Sequence, residues 1–275
     1  MVNVAPQALP DAETVAEDAR LLGQNVLTDN GSGADADGTP DSDVLTVTQV
    51  NSVALAAGSS LIDLALTSGA LLTIGSDGGY TYNPNGQFKH LGAGETATDS
   101  FSYVIADGNG GSATANVTIT ITGVNDVPVA VDDGASGAPL LTAFENVALD
   151  NIQVLGNDTD PDGDTLTITK ASSADGNVTI NVDGTLKFEP KPGFSGDTAI
   201  GYTVSDGQGG SDTASVYLRV SPVNHEPAGV NLTVAMAENG QYTLQIADFG
   251  FSDPSDSPAN TLQGVKIAVL SLIHI

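Results

Sequence analysis

An internal repeat limits this chain more than any other feature. Phe101-Ser-Tyr103-Val-Ile105-Ala-Asp107-Gly108-Asn-Gly110-Gly111-Ser112 recurs as Ile200-Gly-Tyr202-Thr-Val204-Ser-Asp206-Gly207-Gln-Gly209-Gly210-Ser211, each matched position 99 residues further on. Val124-Asn125-Asp126-Val-Pro128 recurs as Val223-Asn224-His225-Glu-Pro227 at the same spacing. A shorter landmark occurs three times, as Ala16-Glu17-Asp18, Phe144-Glu145-Asn146 and Ala237-Glu238-Asn239. Repeats of this kind mark a tandem architecture, in which each copy is one folding unit. The landmarks divide the chain into a first repeat over 1–124, a second over 125–223 and the front of a third over 224–275. The third never reaches its own Tyr-x-Val-x-Asp-Gly segment, so an incomplete last sheet is expected.

Alternation of period two identifies strands within the second repeat. Leu166 and Ile168 share a face, as do Val178, Ile180 and Val182, then Leu186 and Phe188. Ile200, Tyr202 and Val204 follow, and then Ala214, Val216, Leu218 and Val220. With segments near Leu140–Leu141 and Ile152–Leu155, this predicts about seven strands and no capped helix. Such a pattern calls for an all-β, Ig-like sandwich. The 32 glycines and 13 prolines supply the turns between short strands. In Asp206-Gly-Gln-Gly-Gly210 the glycines provide the backbone freedom a hairpin needs, and Asp206 can also offer an oxygen to a cation.

Thirty-four acids against seven bases give a net charge of −27. That balance opposes nucleic-acid phosphates and anionic membrane surfaces. The densest acidic run is Gly156-Asn-Asp158-Thr-Asp160-Pro-Asp162-Gly-Asp164. Like charges about 4 Å apart cost roughly 4 kcal/mol per pair at an effective dielectric near 20. A hard cation removes that cost, and Ca²⁺ favours shells of carboxylate and carbonyl oxygen. The run therefore reads either as a calcium site or as a solvated turn whose side chains diverge. Asp158, Asp160, Asp162 and Gly163 imitate the opening of an EF-hand loop. Thr169 stands where that loop needs a bidentate Glu, and strands flank the run instead of helices.

Leu155-Gly-Asn-Asp-Thr-Asp-Pro-Asp-Gly-Asp-Thr-Leu-Thr-Ile168, the Phe-Ser-Tyr-x-x-x-Asp-Gly-x-Gly-Gly segment and Gly123-Val-Asn-Asp-x-Pro128 together resemble bacterial cadherin-like repeats. These are the tandem-95 and VCBS-type Ig-like modules of large surface adhesins. The second repeat matches over nearly its whole length and the first from Leu71 onward, whereas Asn30 to Asp43 carries a longer Asp/Gly-rich insertion. The resemblance implies calcium between successive repeats. It would be held by Asn125, Asp126, Glu145, Asp160 and Asp162 at the first junction, beside Asp158 and Asp164 of the acidic run. At the second junction it implies Asn224, Glu238, Asp253 and Asp256, with His225 in place of the linker acid and Glu226 nearby. Glu17, Asp35 and Asp37 are further candidates in the first repeat.

The resemblance also implies a secreted or cell-surface bacterial protein whose calcium-stiffened repeats act in adhesion and biofilm. Its partners would be neighbouring repeats and a surface glycan or protein. The absence of Cys fits a bacterial exported chain or a cytosolic one, and no run of about 18 apolar residues offers a membrane span. His90, His225 and His274 stand in unrelated contexts without a Gly-x-Ser-x-Gly or His-Glu-x-x-His pattern, so no enzyme is expected. A second reading makes one repeat a carbohydrate- or protein-binding module. The lack of Trp leaves few stacking platforms for a sugar. Leu270–Ile275 departs from the repeat and resembles a translated adapter read-through.

Overall fold

Strands of two to eleven residues, the longest of them alternating in burial, build the computed structural model, which describes residues 3–28, 33–37, 43–235, 237, 239–254, 256 and 259–266. The chain separates into two units. The first is 1–129 with 159–166 and 205–212, and the second is 130–158, 167–204 and 213–275.

Two sheets make up the body of the first unit. One contains β1 (Asp11–Ala16), β9 (Ser112–Thr122), β8 (Thr96–Ala106), β3 (Thr46–Val50) and β4 (Val53–Ala54), in that order. The other runs β2 (Leu21–Asn25), β7 (Gly79–Asn83), β6 (Leu71–Gly75), β5 (Ser60–Ala65). Inward residues of both sheets fill one core. Val117, Ile119, Ile121, Phe101, Tyr103 and Ile105 come from the first sheet, and Leu72, Ile74, Tyr80 and Tyr82 from the second. The Tyr80 and Phe101 rings meet edge-on across that core at 5.4 Å. Removing a buried Leu, Ile or Phe from water contributes roughly 1.5–3 kcal/mol, so this sandwich is held chiefly by apolar burial.

The second unit repeats the plan with seven strands, the number expected from the sequence. One sheet has the order β10 (Leu141–Phe144), β16 (Ser211–Ser221), β15 (Gly196–Ser205), β12 (Thr167–Ser172). The other runs β11 (Leu149–Ile152), β14 (Leu186–Pro190), β13 (Gly176–Ile180). Its core includes Ile152, Leu186, Phe188, Ile200, Tyr202, Val204, Val216 and Leu218. Val182 departs from the reading: β13 stops at Ile180, and Val182 is fully exposed in the turn before Leu186. The Asn181 amide donates to the Thr185 carbonyl at 2.8 Å and the Gly184 amide to Asn181 at 3.0 Å, which closes that turn and ends the alternation.

The first strand of each unit pairs with the last strand in parallel. β1 lies along β9 with Ala16 opposite Thr122, and β10 lies along β16 with Phe144 opposite Ser221. The residue after the first strand is thereby brought to the exit of its own repeat. Among the described residues past Asn224, Ile246–Phe249 forms one 3₁₀ turn, and Ala228 and Ser252 exchange backbone bonds of 2.7 and 2.9 Å.

Candidate metal centre

Parallel pairing of β1 with β9 positions Glu17. Its backbone N–H donates to the Thr122 carbonyl at 3.0 Å, and its Oε1 accepts from the Val124 amide at 2.9 Å. The side chain is 3% exposed, and its Oε2 receives no hydrogen bond. The residues after Val124 follow the same division of labour. Asn125 Nδ2 donates to Asp206 Oδ2 at 2.9 Å, leaving Oδ1 buried and unbonded. Asp126 Oδ1 accepts from Lys89 Nζ at 2.6 Å, leaving Oδ2 in that state.

The Asp160–Asp164 segment belongs to the same unit. Asp162 Oδ2 accepts from the Asp126 amide at 2.8 Å, and Asp160 Oδ1 from the amides of Asp162 and Asp164 at 2.9 and 3.4 Å. Asp162 Oδ1 and Asp160 Oδ2 are again buried without a donor. Each residue thus spends one atom on fixing its own position and presents one bare oxygen. Glu17, Asp126 and Asp162 can bring one oxygen each within 4.8 Å of one another, and so can Asp160, Asp162 and Asp164.

A buried acceptor without a donor costs about 1–3 kcal/mol, and more when it is charged. The acids respond to this crowding. Burial raises the Glu17 pKa, with Asp126 and Asp18 adding to the effect against the Val124 hydrogen bond and Lys89. Burial also raises Asp164, and Asp160, Asp162, Asp206 and Glu95 push it further. An all-oxygen set of this kind fits a hard divalent ion and offers nothing to a soft one.

Asp206 anchors the set through the repeat's glycine turn. Its Oδ1 accepts from the amides of Gln208, Gly209 and Gly210 at 2.8, 3.0 and 3.0 Å. The Asn125 hydrogen bond first, and these amides after it, hold its pKa below the usual carboxylate value. A Cβ at Gly210 would overlap the Asp206 carboxylate, so the turn's last glycine is needed for close approach. The corresponding elements recur around Asp107, which takes Asn109 and Gly111 amides at 2.8 and 2.9 Å and Asn3 Nδ2 at 3.0 Å.

Glu145, which the resemblance grouped with Asn125 and Asp126, lies in the second unit, where its Oε2 accepts from the Val223 amide at 3.3 Å. Glu17 holds the place beside Asn125 and Asp126. The reason is the parallel register: Glu145 follows β10, which ends opposite Ser221, so it meets the segment leaving its own repeat. Asp158 is turned to a different task, with Oδ1 accepting from the Val131 amide at 2.8 Å and its carboxylate 3.4 Å from the Tyr202 hydroxyl. Asp35 takes the same role in the first unit, accepting from the Leu9 amide at 2.7 Å and facing Tyr103 Oη at 3.1 Å. Asp37 Oδ2 accepts from the Asp43 amide at 2.8 Å, and its Oδ1 is buried and unbonded.

In the second unit, His225 donates through its backbone N–H to Asp256 Oδ1 at 2.8 Å, and its Nδ1 lies 2.9 Å from the same oxygen. Asn260, which sequence reasoning did not single out, gives Nδ2 to Asn224 Oδ1 at 2.9 Å and Asp256 Oδ2 at 2.8 Å, and its amide to Asp253 Oδ2 at 2.8 Å. Both Asp256 oxygens are therefore satisfied by the protein, and Asp253 Oδ1 is the bare oxygen there. Glu238 lies outside the described residues, and Glu226 makes no side-chain bond that enters this set. Asp18 and Lys89 were also missed: the ammonium lies 2.7 Å from Asp18 Oδ1, and no sequence pattern marks a lone Lys as part of an acidic centre.

Residues 3–123 match the bacterial cadherin-like domain family, and residues 125–219 match the bacterial Ig domain family. No curated protein matches the chain. Among solved structures, Drosophila N-cadherin EC1–4 is 13% identical at a TM-score of 0.42, with 80% of this chain and 51% of that one covered. Mouse cadherin-23 EC22–24 is 14% identical at 0.43, covering 81% and 66%. An endo-fucoidan hydrolase of glycoside hydrolase family 107 is 21% identical at 0.27, covering 80% of this chain and 29% of that one. The chain thus spans about half the length of the N-cadherin structure. Among the described residues no helix is long and apolar enough to cross a membrane. Residues 3–123 and 125–219 thus carry a bacterial cadherin-like and a bacterial Ig-like domain in tandem, a domain type that is structural and adhesive and not catalytic.

Proposed function

We propose that this chain is a calcium-stiffened spacer segment of a large, secreted or surface-attached bacterial adhesin. The observation that carries the reading is the set of buried, donor-free oxygens on Glu17, Asn125, Asp126, Asp160 and Asp162. Calcium bound there would supply the positive charge that these oxygens lack. Glu17 follows the first strand, Asn125 and Asp126 follow the last, and Asp160–Asp164 begins beyond the next repeat's linker. An ion shared by three such distant stretches fixes them together, and it offsets repulsion in a chain of net charge −27. Weak sites of roughly 10⁻⁴–10⁻³ M suit an extracellular calcium supply.

The alternative, a sugar-binding repeat, has less support. Tyr80 and Tyr82 are both buried in the core of the first unit and present no stacking platform. Thermal unfolding of residues 1–223 in millimolar calcium and in EGTA tests the spacer reading. A rise of several degrees with calcium is expected, and an unchanged melting temperature would overturn it.

A further inference from the structure

Lys89 is one of only seven Lys and Arg residues, yet it stands between two acids at the candidate centre. Its ammonium lies 2.6 Å from Asp126 Oδ1 and 2.7 Å from Asp18 Oδ1. The preceding Phe88 is buried in the core, and the turn around it is closed by bonds from Gln87 to Pro84 and from Leu91 to Phe88 at 3.1 and 3.0 Å. The stem of Lys89 therefore starts from a fixed point. Asp126 is divided between two cations' worth of demand: Oδ1 meets the ammonium, and Oδ2 is bare alongside Glu17 and Asp162.

We propose that Lys89 is a tethered counter-cation of the metal centre, which occupies its Asp18–Asp126 side and weakens the calcium held by Glu17, Asp126 and Asp162. The inference rests on the cation reading of that centre. Two effects follow from the geometry. Without an ion, the ammonium neutralises part of the crowded charge and supports the fold. With an ion bound, it confines Asp126 to one ligating oxygen and places a positive charge beside a divalent cation, so it opposes binding. The contact differs from an ordinary surface pair. Arg219 and Asp197 are both widely exposed, at 53% and 42%, whereas the Asp126 side chain is 15% exposed. In the comparable turn at Pro190–Phe194 of the second unit, Ser195 follows Phe194 where Lys89 follows Phe88, and the Lys191 ammonium is spent on the Ala174 carbonyl at 2.6 Å.

The test titrates the full, EGTA-treated chain with calcium chloride by calorimetry and follows its thermal unfolding with and without calcium. The variants are K89Q, K89R and, as a control on the centre itself, E17Q. K89Q should melt a few degrees lower than wild type in EGTA, bind calcium about three- to tenfold more tightly, and show a larger calcium-induced rise. K89R, which keeps the charge, should behave like wild type. Opposite signs for ion-free stability and for affinity are what a merely structural ion pair would not produce. Equal losses of melting temperature in both conditions, with unchanged affinity, would overturn the role of Lys89 while leaving the cation reading intact. Wild-type protein that gives no calcium heat and no shift would remove the cation reading and this proposal with it.

Discussion

Glu17 Oε1 accepts the Val124 amide proton at 2.9 Å across 107 residues of chain. That bond is made possible by the parallel register of β1 on β9, and it turns Oε2 toward Asp126 and Asp162. One carboxylate thus does two things: one oxygen fixes the exit of the repeat, and the other is available to a cation. The two roles can be separated by experiment.

E17Q separates them because the amide oxygen can still accept from Val124 while the charge is gone. Calcium affinity should fall by about tenfold or more, since a hard cation loses a charged ligand. The ion-free protein should be as stable as wild type or slightly more so at pH 7. Burial and the neighbouring Asp126 and Asp18 raise the Glu17 pKa, so its ionised form is disfavoured in the folded state. Calorimetric titration and melting curves in EGTA check both halves.

The strands and their repeat were legible in the sequence because alternation of period two and a constant spacing are local signals. Tyr103 and Tyr202, Asp107 and Asp206, and Asn125 and Asp126 were all marked by position alone. Two further things were not local. Which Glu joins which linker depends on parallel pairing between the first and last strands, which alternation does not encode; that pairing gives Glu17 to Val124 and Glu145 to Val223. The purpose of each acid in Asp158–Asp164 depends on which backbone amide reaches it. Asp158 faces the Val131 amide and Tyr202, while Asp160 and Asp162 each retain a bare oxygen. Val182 kept the alternation but fell in a turn, because a short hairpin can carry an apolar residue at its tip.

The tyrosine at the centre of each sandwich ties the core to a pair of acids. Tyr202 Oη lies 3.2 Å from the Val154 carbonyl, 3.3 Å from the Val131 carbonyl and Asp133 Oδ2, and 3.4 Å from both Asp158 oxygens. Tyr103 repeats this with Leu9, Val26, Asp11 and Asp35 at 2.9–3.3 Å. A phenol has one proton to give, so it serves several acceptors only in turn. Y202F should destabilise the second unit by about 1–3 kcal/mol, the penalty for leaving buried acceptors without their donor. Denaturant unfolding of residues 125–223 measures it, and Y103F should have a comparable effect in the first repeat.

Asp133 gives the second unit a pH dependence of definite sign. Burial raises its pKa above 3.8, the nearby Asp158 and Asp132 raise it further, and the Tyr202 hydrogen bond only partly opposes this. The folded state therefore binds this proton more tightly than the unfolded state does. The resulting stability is fully present below the unfolded value and is lost as pH rises through the folded one. D133N should flatten that part of the stability–pH curve above pH 4. It should be more stable than wild type near pH 7, because the amide keeps an acceptor for Tyr202 without the charge. Melting temperatures of both proteins from pH 3.5 to pH 7 in EGTA test the prediction, and a wild-type curve already as flat as that of D133N would refute it.

Gly210 provides the last test, because it reaches the candidate metal centre through Asp206 and has no side chain to offer an ion. Its amide donates to both Asp206 oxygens, at 3.0 and 2.9 Å, and an added Cβ would overlap that carboxylate. Gly210 does not need a left-handed backbone, so Ala is disfavoured there by contact and not by φ. G210A should push Asp206 away from its amides and from Asn125 Nδ2. Asn125 would then lose the partner that aims its bare Oδ1. Calcium affinity should fall several-fold, with a destabilisation of about 1–3 kcal/mol from the strained turn. G209A makes a useful contrast. Its added Cβ meets nothing within 4 Å, but its φ of 116° is unfavourable for Ala. It should cost stability through backbone strain while disturbing calcium binding less than G210A does.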